Sequence, residues 1–113
     1  MGFLNKIPKD IVETLKLYRL GFFQGKSYEI LELESKIEYP QHFHKKSQAN
    51  FHIILGKGKI ILNGKSKAYK KGDSFLIPVG LKHGFLPEKH TLILTIQNPP
   101  IRNPKTKKED IHF

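Results

Sequence analysis

The sequence predicts an all-β domain, and three of its features carry that prediction. From Ser27 onward, apolar residues come in short runs or alternate with polar ones, the period of strands rather than of helices. Glycine and asparagine interrupt these runs at the close spacing of hairpin turns. The longest apolar runs, such as Ile53 to Leu55 and Ile60 to Leu62, fall far short of a membrane span. Many short strands at such spacing make an antiparallel sandwich or barrel. The 113 residues suit one domain, residues 1–113, large enough to fold without a metal or a disulfide.

Residues 8–20 are the exception, and their spacing predicts a short helix. Pro8 fits a first-turn position, and Asp10 and Glu13 suit the positive N-terminal end. Ile11, Leu15 and Tyr18 recur on one helical face, and Gly21 supplies a stop. The barrel is expected over about 27–97. Tyr28 to Glu34 alternates, with Leu31 and Leu33 on one face and Glu32 and Glu34 on the other. Phe51 to Leu55 and Lys59 to Leu62 are short apolar strands joined through Gly56, Lys57 and Gly58. Asn63 and Gly64 make a tight turn into a returning strand, Ser66 to Lys70. Lys71, Gly72 and Asp73 turn into Ser74 to Ile77, and further strands follow at Gly84 to Leu86 and Thr91 to Gln97. Residues 98–113 read as a Pro- and Lys-rich tail, either loose or laid along a neighbouring subunit.

Lys plus Arg number 20 against 10 acidic residues, a formal net charge of +10. Such a balance points to an anionic partner. Only Arg19 and Arg102 are arginine, the usual reader of bases, and the lysines are spread over turns and tail. No nucleic-acid module accompanies the charge, so the expected partner is a small anionic molecule rather than a specific nucleic acid. The absence of cysteine excludes a disulfide scaffold, thiol catalysis and iron–sulfur clusters. Met1 to Asp10 lacks the layout of a signal peptide, so the expected setting is cytoplasmic, with no membrane partner.

The histidines carry the chemistry. His42 and His44 form His-x-His, which on a strand puts both imidazoles on one face, where two can chelate a transition metal. Gly72 to His83 reads as turn, buried strand, turn and then histidine, and Pro78 cannot continue a ladder. His83 therefore opens a new strand after a rigid bend, a good place for a fixed ligand.

Here the sequence resembles the cupin superfamily. One of that family's two motifs is matched at Gly72, Pro78, Gly80 and His83 with the expected spacings; the other is matched at His42, His44 and Gly56. The resemblance covers about residues 28–97 and implies a double-stranded β-helix, or jelly-roll barrel, with His42, His44 and His83 holding a divalent transition metal (Fe, Zn, Mn or Ni). It departs at the usual glutamate ligand, which falls on Ala49; Gln48 is adjacent and fits a shorter spacing. A neutral set of three histidines makes the metal a stronger Lewis acid and keeps more positions open.

Within the family, Ile77 to His83 is similar to the cupin domain of type II mannose-6-phosphate isomerases. The resemblance implies a metal-dependent, isomerase-like enzyme acting on a small anionic sugar. Two other readings stay open: a three-histidine Fe(II) dioxygenase, and a non-catalytic cupin that binds a sugar or anion. It also implies a homodimer. For a base, the sequence offers His52, which alternation from Ala49 places on the outer face unless a bulge shifts the register, and Glu38, just before the metal strand. Glu29, Glu32 and Glu34 read as a solvated face, and Tyr28, Tyr39, Phe43, Phe51, Phe75 and Phe85 as aromatics of the mouth or core.

Overall fold

The computed structural model describes residues 9–12, 15–99 and 112. Ten strands are named in chain order: β1 (Lys9–Val12), β2 (Leu15–Phe23), β3 (Lys26–Leu33), β4 (Tyr39–His42), β5 (Gln48–Leu55), β6 (Lys57–Leu62), β7 (Lys65–Lys70), β8 (Ser74–Ile77), β9 (His83–Pro87) and β10 (Thr91–Asn98). They form a six-stranded sheet, β1-β2-β3-β10-β5-β8, and a four-stranded sheet, β4-β9-β6-β7. Every pairing is antiparallel. The chain passes back and forth between the sheets from β3 to β10, which is jelly-roll topology.

The core lies between the sheets. Leu31, Leu33, Ala49, Phe51, Ile53, Ile77 and Ile93 of the larger sheet pack against Ile60, Tyr69 and Phe85 of the smaller one. Alternation explains the set, since the odd-numbered residues of β3 and β10, and of β5 as far as Ile53, face inward. The strands expected from Tyr28 onward are all present, with ends moved by at most three residues.

The helix expected over residues 8–20 is corrected: residues 9–12 and 15–20 are strand, and no helix occurs among the described residues. The larger sheet therefore starts before residue 27. β2 pairs with β3 from Leu15↔Leu33 to Phe23↔Lys26, with one shift between Arg19 and Gly21. Leu17 packs on the main core, while Tyr18 joins a second cluster with Ile30 and Leu92 on the opposite face. A strand that buries both faces has no clean alternation, and its apolar residues fall at spacings that imitate a helix. Ladder pairing to β3 decides the outcome over local pattern.

Candidate metal centre

His42, His44 and His83 come together from two places in the chain. β4 pairs with β9 so that His42 and His83 are direct partners across the ladder. This pairing needs a close approach. A Cβ on Gly84 would lie 2.7 Å from the Tyr39 carbonyl oxygen, so no larger residue fits beside His83. His44 lies just beyond β4, where Gly80 holds it: the Gly80 N–H donates to the His44 carbonyl at 2.8 Å. Gly80 has φ of +84°, the left-handed region that glycine enters without strain. The bend before β9 is thus stapled to the segment carrying the other two histidines. Between them, Phe43 exchanges both backbone hydrogen bonds with His112, at 2.7 and 2.9 Å, and their rings lie 5.4 Å apart.

One donor nitrogen from each histidine lies within 4.8 Å of the other two, and all three residues are buried. Their tautomers follow from their partners. His42 Nδ1 lies 3.1 Å from the Pro40 carbonyl oxygen and His83 Nδ1 lies 3.0 Å from that of Leu81. Carbonyls only accept, so both Nδ1 atoms carry the proton and both Nε2 atoms present a lone pair. His83 Nε2 is buried without a hydrogen-bond partner. Burial pushes His42 down to about 4 and His83 down to about 3, with the neighbouring histidines pushing the same way. Both are therefore neutral near pH 7, the state that ligates metal. A buried, unpartnered lone pair costs free energy in the protein alone, and a metal ion is the group this donor set fits. The donor set is neutral nitrogen throughout, which suits a transition metal such as Fe, Zn or Ni better than Ca or Mg.

The other expected candidates lie elsewhere. Ala49 is fully buried and faces inward, which puts Gln48 on the opposite face with Asn50 and His52. His52 keeps the outward position, its Nδ1 2.8 Å from Ser74 Oγ. Glu38 is exposed.

A polar wall beside the histidines was not legible as such. The inward row Arg19, Glu29, Thr95 and Phe51 runs in register across β2, β3, β10 and β5. The next row is Ser27, Gln97 and Ala49. Glu29, read from sequence as solvated, is buried, with Arg19 Nε 3.7 Å from its carboxylate. Gln97 accepts from Ser27 Oγ and donates to Thr95 Oγ1. Phe51 joins the wall to the site, its ring centroid 5.5 Å from that of His83. The inward parity of residues 27 and 29, shared with Leu31 and Leu33, was the available signal. The lysines from Lys26 to Lys89 are all exposed.

Comparison with known proteins agrees with this architecture. Residues 30–95 match the family model described as a cupin domain. An uncharacterized protein of Aquifex aeolicus (strain VF5) is 38% identical over 80 residues, which cover 71% of this chain and 64% of that relative. Among solved structures, an RmlC-like cupin from Shewanella frigidimarina NCIMB 400 superposes with TM-score 0.74 at 24% identity, over 84% of this chain and 86% of that one. KdgF from Halomonas sp. gives 0.77 at 16% identity, over 89% and 92%. Salicylate 1,2-dioxygenase from Pseudoaminobacter salicylatoxidans gives 0.73 at 17% identity, over 80% of this chain and 26% of that one.

Proposed function

The chain belongs to the cupin family, and from that premise we propose that it is a metal-dependent enzyme acting on a small polyhydroxylated molecule. The observation that carries the reading is the buried, unpartnered Nε2 of His83 beside the other two histidines. A divalent transition metal held by His42, His44 and His83 would supply Lewis-acid polarisation of a carbonyl or hydroxyl oxygen.

The chain's own residues supply the rest. Pro40 and Leu81 fix the tautomers of two ligands. Glu29, Gln97, Thr95 and Ser27 offer carboxylate, carboxamide and hydroxyl groups on the inner face, the chemistry that reads sugar hydroxyls. Arg19 brings a cation to that wall, the group an anionic substituent would meet. Glu29 is the inward-facing carboxylate suited to moving a proton, in place of the outward His52 and the exposed Glu38. This set supports aldose–ketose isomerisation, in which one group polarises the carbonyl and another carries a proton between adjacent carbons. The exposed apolar residues Leu20, Phe22 and Phe23 support the expected homodimer, which sedimentation at several concentrations tests.

The reading is tested by assaying a panel of aldoses and their phosphates with protein loaded separately with Fe(II), Mn, Zn or Ni, with and without oxygen. Anaerobic isomerisation lost in Glu29→Gln is the expected result. Turnover that requires Fe(II) and consumes oxygen would replace it with the dioxygenase reading. Sugar binding that a chelator leaves unchanged, without turnover, would replace it with a non-catalytic binding cupin.

A further inference from the structure

Ala49 removes the carboxylate from the metal site, and among the described residues no other acidic side chain joins the three histidines. A dication there would meet only neutral ligands inside a buried space. Uncompensated charge away from water is costly, so an anionic donor nearby would lower the cost of binding.

Tyr39 stands where such a donor is needed. Its hydroxyl oxygen is 3.4 Å from His42 Nε2. That is long for a hydrogen bond from a hydroxyl to nitrogen. The two rings are stacked, with centroids 4.9 Å apart and planes 27° apart. The phenol therefore packs against the imidazole, with its oxygen on the Nε2 side. The separation also matches that of two ligands of one ion, since metal bonds of about 2.0–2.1 Å in tetrahedral geometry put neighbouring ligand atoms about 3.3–3.4 Å apart. The position is fixed by packing. Tyr39 pairs with Phe85 across the ladder, and their ring centroids are 6.2 Å apart.

We infer that Tyr39 is the fourth protein ligand of the three-histidine site, its phenolate oxygen replacing the carboxylate that Ala49 lacks. The inference rests on the metal reading above. On binding, the phenol O–H bond is lost as the oxygen–metal bond forms, the proton leaves to solvent, and no electron changes hands. The net charge of the filled site falls from +2 to +1 with a divalent ion.

Iron alone is the probe. The untagged protein is loaded with Fe(II) anaerobically, oxidised to Fe(III), and examined for iron content, visible absorption and resonance Raman scattering. The expected result is one iron per chain, a phenolate-to-iron(III) charge-transfer band, and enhanced phenolate ring modes. Tyr39→Phe keeps the ring that packs on Phe85 and His42. It should lose the band and the modes and bind iron more weakly, by at least the about 10–100-fold typical of outer-shell partners. One bound iron without the band, or a band that survives in Tyr39→Phe, overturns this inference and leaves the three-histidine site standing. No bound iron in the wild type, with the other metals refused as well, overturns both.

Discussion

Two neighbouring rows of the same barrel interior follow opposite rules. Leu17, Leu31, Ile93 and Ile53 lie in register across the larger sheet and are aliphatic throughout. Two residues along each strand, the row reads Arg19, Glu29, Thr95 and Phe51, and beyond it lie Ser27, Gln97 and Ala49. The strands, the ladder and the degree of burial are shared; only the chemistry changes. The aliphatic row stabilises the fold by removing apolar surface from water. The polar row and the one beyond it bury a carboxylate, a carboxamide and hydroxyls that gain little net stability from their mutual bonds. The three buried histidines belong to this second kind of interior. The difference separates what holds the barrel together from what the barrel holds.

Acid breaks this comparison most strongly. His42 and His83 are pushed below the usual value of 6.5, to about 4 and about 3. Below pH 6.5 the unfolded chain binds protons that the folded chain does not, so stability falls as pH falls. Each histidine held neutral in this way costs about 1.4 kcal/mol for every tenfold rise in proton concentration. The metal-free protein should therefore lose several kcal/mol between pH 6.5 and pH 4. Urea unfolding across that range checks it, and a flat profile would mean that the histidines are not buried as described. His83→Leu should flatten the profile in part.

Next in size is a cavity in the aliphatic row. Ile93 is fully buried, and Ile93→Ala should cost about 2–5 kcal/mol in urea unfolding. The same experiment on the polar row should give the smallest effect. Replacing the pair together, Arg19→Leu with Glu29→Leu, should leave stability within about 1 kcal/mol or raise it, because the desolvation of a partly buried pair offsets much of its attraction. A loss as large as that of Ile93→Ala would show that the polar row is structural after all.

Most of the barrel was legible because its strands carry the two-residue period and its turns carry glycine or asparagine, as at Asn63 and Gly64. His42 and His44 were legible as a pair from their spacing, and His83 joined them through the resemblance to cupins. Three features were not. β2 buries Leu17 on one face and Tyr18 on the other, so its pattern read as helical. Glu29 shares the inward parity of Leu31 and Leu33, but a carboxylate reads as solvated by residue type, and that prior outweighed the parity. The pairing of His112 with Phe43 joins residues 69 positions apart through backbone atoms, and backbone bonds leave no residue-type signature.

The central claim is that the histidine cluster is a metal site, and metal content tests it most directly. Untagged wild-type protein and His83→Ala would be dialysed against Fe(II), Zn, Mn and Ni in turn and measured by mass spectrometry of the elements, with thermal unfolding as a control for folding. The account predicts about one equivalent of a transition metal in the wild type and close to none in a folded His83→Ala variant. A wild-type protein that refuses all four metals, or a variant that binds them equally well, would contradict it.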